Sequence, residues 1–343
     1  MTGVAERAVG AAYAAGWRLV RVLPERPVRA VFSGGAGWFA GRGGAGPRRL
    51  AANLRRVVGP EMSEAALEDL TKRALQSYAR YWYEAFRLPE WGPEEIGRRF
   101  VLENADELDK ALAGGKGTVV ALPHAANWDL AGAWATLHGF PVTTVAERLK
   151  PEDVYQQFLD FRRSLGMEIL PLTGGSRSPL NVLTERLREG RLVVLLADRD
   201  LSARGVEVDF FGARTKLPAG PAALALRTGA PLYGLAAWND GAVVRARLIG
   251  PLDTTTPPAS ENGGTPSGGA ATSGGSPGGV TMAVDCENGA EATAAHQLQI
   301  AVVTQRIADA LAEGIAAHPV DWHMLQPLWL ADLPARRQKP AGN

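Results

Sequence analysis

The sequence predicts an α/β fold: a single domain whose central mixed, largely parallel sheet is flanked by helices. Three observations carry this expectation. Short apolar runs recur at 118–122, 142–145, 169–172, 192–196, 206–210, 232–237 and 243–249. Stretches of helical periodicity alternate with them at 129–138, 151–165, 179–189 and 219–228. Runs such as Leu192-Val-Val-Leu-Leu196 are apolar at every position, as in strands covered on both faces.

Outside this alternation, Ser63 starts a predicted helix over 63–88, with an aromatic cluster at Tyr81, Trp82 and Tyr83. Residues 292–317 read as a further helix, and the aromatic stretch His318–Trp329 is expected to dock on the body. Residues 251–290 are rich in glycine and proline and poor in bulky apolar side chains, which predicts a disordered surface insertion. The expected organisation is a basic, helical, membrane-contacting segment over 1–56, a catalytic domain over 57–330 carrying that insertion, and a flexible tail over 331–343.

Composition narrows the function. With 343 residues, 46% of them hydrophobic, and a formal charge of +1, the chain is an ordinary globular protein and an unpromising nucleic-acid binder. The charge is uneven: residues 1–56 hold ten arginines against Glu6 and Glu25, a local excess of eight. A helix over 4–23 with an apolar stripe and a basic margin can pack on the body or lie on acidic lipid, with Trp17 and Trp38 at the boundary. No apolar run approaches the roughly 18 residues a membrane span needs, and no convincing signal peptide is present. The single cysteine, Cys286, excludes a disulfide framework. Gly41-Arg-Gly-Gly-Ala-Gly46 fits a dinucleotide fingerprint on paper, but Pro47 follows it and no strand precedes it, so a flexible connection is expected.

The chemistry is sought at strand ends, where open α/β sheets place ligands. Pro123-His124-Ala-Ala-Asn-Trp-Asp129 follows the first buried-type strand. If the turn is tight, the Asp129 carboxylate can reach one nitrogen of His124 and leave the other to take a proton from a hydroxyl. Asp198-Arg199-Asp200 ends another such strand; Asp198 could orient His124, and Arg199 could hold a phosphate or an oxyanion. The same Asp-x-Asp could instead serve a metal-dependent glycosyltransferase, or Arg199 could merely bridge two surface acids. Arg162 and Arg163 could bind phosphate or cap helix carbonyls. His318 and His323 lack a third ligand at zinc-like spacing, so no metal site is expected. Serine-hydrolase elbows, phosphate loops and zinc-protease motifs do not occur.

His124 with Asp129 resembles the H-x4-D motif of glycerolipid-type acyltransferases. Residues 161–171, 198–200, 205–212 and 321–329 are similar to the bacterial lipid A lauroyl/myristoyl branch, and within it to phosphatidylinositol mannoside acyltransferases. This resemblance implies a glycerolipid-acyltransferase-like fold and transfer of a palmitoyl-type group from acyl-CoA to a mannose 6-hydroxyl on an anionic glycolipid. His124 would be the general base, supported by Asp129 and Asp198, with Arg162, Arg163, Arg199, Glu147 and Arg148 on the substrate. Acyl-CoA would be a co-substrate, no cofactor is implied, and the enzyme would sit peripherally on the cytoplasmic face of the membrane. Another lipid A-type glycolipid acceptor is the runner-up.

Overall fold

The computed structural model describes residues 16–147, 152–175, 177–200, 205–255 and 281–333. The first 15 residues, the core of the expected insertion (256–280) and most of the expected tail lie outside them. Residues 16–22 are helical, and two helices whose bounds the sequence did not mark follow within and just past the expected helical segment: α1 (Glu25–Gly41) and α2 (Ala45–Val58). The expected connection at Gly41–Gly46 is therefore the short turn Arg42-Gly43-Gly44 between these helices, whose ends take in Gly41 and Gly46.

The long α3 (Glu64–Arg87) starts where Ser63 Oγ accepts the Ala66 N–H at 3.2 Å. After it come α4 (Pro93–Arg99), β1 (Phe100–Leu102), α5 (Ala105–Ala113), β2 (Thr118–Leu122), α6 (Trp128–Leu137) and β3 (Val142–Ala146). The chain continues through α7 (Glu152–Ser164), β4 (Glu168–Pro171), α8 (Pro179–Arg188) and β5 (Leu192–Leu196). A hairpin, β6 (Val206–Phe210) and β7 (Ala213–Leu217), turns on Phe211 and Gly212, both at positive φ. Then come α9 (Gly220–Thr228), β8 (Leu232–Asp240), β9 (Val243–Ile249) and α10 (Thr281–Ala317), which makes residues 281–290 of the expected disordered insertion helical.

Seven strands form one sheet in the order β1-β9-β8-β2-β5-β3-β4, all neighbours parallel except β8 and β9. The sheet is mixed and largely parallel, as the buried-type runs predicted. Its two faces carry separate cores. Val119, Ala121, Val193 and Leu195 face Leu50, Leu54 and Leu70 with α8–α10, while Val120, Leu122 and Leu192 face α4–α7. Residue 56 therefore falls inside a helix whose Leu50 and Leu54 are fully buried. Trp17 is buried too, its ring 5.1 to 5.5 Å from Phe86, Phe158 and Phe161.

The aromatic stretch after α10 docks as expected. Trp322 and Trp329 are fully buried, and Trp329 Nε1 donates to Phe210 O at 2.9 Å. Trp329→Ala should cost about 3–5 kcal/mol, the range for a buried aromatic truncation. Urea denaturation would measure it; a loss under about 1 kcal/mol, typical of surface changes, would mean that this segment is dispensable to the fold.

Candidate active site

Strand register assembles the site. Leu122 of β2 lies opposite Leu196 of β5, so two residues further on His124 stands level with Asp198. Asp198 is fully buried; its Oδ1 lies 2.6 Å from His124 Nδ1, and its Oδ2 accepts the His124 backbone N–H at 2.9 Å. The same Oδ2 accepts the Trp322 indole N–H at 2.9 Å. Burial opposes the charge on Asp198, but His124 and the donors around it hold the carboxyl below its ordinary value. A carboxylate only accepts, so His124 Nδ1 is the donor, and in neutral imidazole the lone pair sits on Nε2. Among the described residues Nε2 has no partner.

Asp129 does not reach His124, contrary to the expectation from spacing. Asn127 caps α6, its Oδ1 accepting the Leu130 N–H at 3.0 Å, and the turn before it holds Ala126 at φ 49°. This geometry directs Asp129 away from His124, between α3 and α7. There it accepts from Arg162 Nε at 2.7 Å and Nη2 at 3.3 Å, and from the Tyr81 hydroxyl at 3.0 Å. Burial disfavours a charged Arg162, yet Asp129 holds its pKa above the usual arginine value; burial and the Asp129 charge together push Tyr81 up, so it stays a donor.

These groups border a cleft of about 250 Å³ that His124, Arg162, Arg199, Glu147, Tyr78, Tyr81, Trp128 and His323 help line. Arg199 and Glu147 form an ion pair at 3.6 Å. Arg163 is not part of it: its guanidinium pairs with Asp160 on the surface. Arg148 lies outside the described residues. Asp200 Oδ2 accepts the Gly205 N–H at 2.9 Å, so Asp198 and Asp200 serve different partners. Behind Trp128 an apolar cavity of about 50 Å³ opens among Val120, Leu122, Gly132, Trp134 and Leu235. A larger groove, about 840 Å³, lies near Trp17 and Trp91, but His124 does not border it.

His323, which the sequence offers as a zinc ligand short of partners and as part of the docking aromatic stretch, lies in the cleft, a place the sequence did not assign to it. The docked segment brings it there: its N–H donates to His124 O at 2.8 Å. Ser77 Oγ lies 2.6 Å from Asp321 Oδ1 and 3.0 Å from His323 Nε2. The Asp321 carboxylate takes the serine proton, so His323 Nε2 must donate and Nδ1 carries the lone pair. Burial first, and His124 second, lower its pKa from 6.5 to about 3. The only sequence signal was the aromatic string around it.

Residues 4–255 of this α/β chain, which include both the His–Asp pair and its two strands, match the family model described as bacterial lipid A biosynthesis acyltransferase, and the chain belongs to that family of acyltransferases. It is 44% identical over 330 residues to the phosphatidylinositol mannoside acyltransferase of Mycolicibacterium smegmatis, covering 96% of this chain and 94% of that protein. It is 46% identical over 340 residues to the protein of the same name from Mycobacterium tuberculosis, covering 98% and 93%.

A neutral, buried His323 makes stability depend on acid. The unfolded chain takes a proton on this ring below about 6.5, and the folded chain refuses it until about 3. Stability is therefore complete above that window and falls as pH drops through it, by at most about 1.4 kcal/mol per pH unit. Urea midpoints between pH 7 and 4 should fall less steeply in His323→Phe than in wild type. Parallel curves would show that the ring is not held neutral.

Proposed function

We propose that the chain transfers a palmitoyl-type acyl group from acyl-CoA to the 6-hydroxyl of a mannose on phosphatidylinositol mannoside. The observation that carries this is His124, oriented through Nδ1 by Asp198 and opening Nε2 to a cleft whose lining, among the described residues, includes no serine, threonine or cysteine. With no protein nucleophile among the described lining residues, this reading takes the attacking oxygen from the substrate. The name shared by the two mycobacterial relatives supports the choice of acceptor.

In this reading Nε2 removes the hydroxyl proton as the oxygen bonds to the thioester carbon. The intermediate then collapses, the C–S bond breaks, and His124 returns the proton to the departing sulfur. Asp198 keeps the tautomer and stabilises the imidazolium between these steps. Glu147 and Arg199 offer an acceptor and a donor for sugar hydroxyls, and Asp129 acts by fixing Arg162 and Tyr81. The apolar cavity behind Trp128 suits the leading carbons of the acyl chain.

Lipid contact fits the front of the molecule. Among the described residues, six of the nine exposed large hydrophobic side chains fall between 19 and 39: Leu19, Val22, Leu23, Val31, Trp38 and Phe39. No described helix is long and apolar enough to cross a membrane. The exposed apolar side chains support peripheral attachment through an amphipathic surface, and we place that attachment at the cytoplasmic face, where acyl-CoA is supplied.

Purified protein given radiolabelled acyl-CoA and a panel of glycolipids tests the chemistry. His124→Ala should lose about 10²–10⁴ in rate. Asp198→Asn should follow it closely, and Asp129→Asn should lose less. Near-normal transfer by His124→Ala would sink the mechanism. Separately, anionic liposomes should sediment the protein, and Trp38→Ala or replacement of Arg18, Arg26 and Arg29 by glutamine should weaken this. Indifference to all four changes would remove this face as the lipid contact.

A further inference from the structure

Eight buried side-chain polar atoms lack a hydrogen-bond partner among the described residues, and three of them, Trp128 Nε1, Arg199 Nε and His323 Nδ1, belong to the cleft beside His124. Trp128 is distinct from the other two. It is the one described residue that lines both the polar cleft and the apolar cavity. Its ring lies nearly perpendicular to that of His124, with centroids 5.5 Å apart and planes at 79°. Tyr81 stacks on it at 4.0 Å, and Tyr81 is itself fixed by its bond to Asp129.

Buried indole N–H groups ordinarily find an acceptor. Here Trp17, Trp322 and Trp329 each do so at 2.9 Å, on Phe86 O, Asp198 Oδ2 and Phe210 O. Trp128 Nε1 keeps an unused donor at the junction where an acyl chain would pass from an apolar wall to the base. An orphaned donor in such a place calls for an explanation.

We propose that Trp128 is a catalytic residue whose Nε1–H donates to the thioester carbonyl oxygen as it becomes an oxyanion. This rests on the acyl-transfer reading and adds the group that stabilises its charge. As the acceptor oxygen bonds to the carbonyl carbon, its proton goes to His124 Nε2 and the carbonyl π pair moves onto oxygen, against the indole N–H. That pair re-forms the carbonyl as the C–S bond breaks, and the His124 proton goes to sulfur. A donor already fixed by Tyr81 needs no reorganisation at that moment.

The test compares wild type, His124→Ala, Trp128→Phe and a protein with 3-benzothienylalanine at 128, which replaces the N–H by sulfur and keeps the shape. Removing one oxyanion donor should lower kcat about 10²–10³-fold in both Trp128 variants, with KM for acyl-CoA little changed and thermal midpoints near wild type. Wild-type kcat in the benzothienyl protein would overturn the proposal even if Trp128→Phe were inactive, since only packing would then be at stake. A rise in KM alone would overturn it too. Acyl transfer by wild type but not by His124→Ala keeps the acyl-transfer reading whichever way Trp128 falls; a wild type that leaves acyl-CoA intact overturns both.

Discussion

The parallel pairing of β2 with β5 is the constraint on which the rest depends. Thr118 faces Leu192 at one end of this pair and Leu122 faces Leu196 at the other, so the loops beyond both strands leave the sheet at the same level. A slip of two residues would carry Asp198 about 7 Å along the strand, beyond hydrogen-bond reach of His124. A slip of one would turn the alternating core residues to the wrong faces. The packing that holds this register is apolar on both sides of the sheet. Fold stability and imidazole orientation are thus set by the same contacts.

A fully buried carboxylate is stable only when its oxygens are occupied. Asp198 meets that condition with three donors: the ring and backbone of His124, and the indole of Trp322. The last comes from a segment more than a hundred residues away in sequence, anchored by Trp329 and by Asn53, whose Nδ2 donates to Met324 O at 2.7 Å and Gln326 O at 3.0 Å. Asp129 makes a different ion pair. Bound to Arg162 and Tyr81, it ties α6 to α7 and α3 around the cleft. The two acids divide the work: one orients the histidine, and the other braces the wall that faces it.

Much of the sheet was legible because buried strands carry their signature locally: 118–122, 192–196, 206–210 and 243–249 match the observed strands in full. Elements with weak local signals were missed. β1 has three residues and β7 reads Ala-Arg-Thr-Lys-Leu, paired in a hairpin whose turn places Phe211 at positive φ. α1 contains Ser33-Gly-Gly-Ala-Gly37, which intrinsic propensity argues against; packing against α3 overrides it. His124 was legible as a strand-end residue. Asp198 was legible as a residue that could orient it, but the choice of Asp198 over Asp129 was not, because which strands become neighbours is decided by the whole sheet: β5 lies beside β2 although β3 and β4 come between them in the chain. His323 was hidden for the same reason.

The charge pattern shows how a count along the chain differs from a charge at a surface. Of the arginines in residues 1–56, Arg21 pairs with Glu90, Arg55 with Glu64, and Arg49 and Arg56 share Asp332. Arg18, Arg26, Arg29, Arg42 and Arg48 form no ion pair among the described residues, and Arg42 lies over the exposed ring of Trp38 at 4.2 Å. The exposed front is therefore amphipathic rather than simply basic. For the proposed lipid contact, each arginine near an anionic surface contributes about 1 kcal/mol, and salt screens it. A large apolar side chain that enters the acyl boundary contributes about 1.5–3 kcal/mol, which salt leaves in place. With six such side chains beside five unpaired arginines, the apolar share matches or exceeds the electrostatic one. High salt should then weaken attachment without abolishing it, unlike a purely polybasic contact.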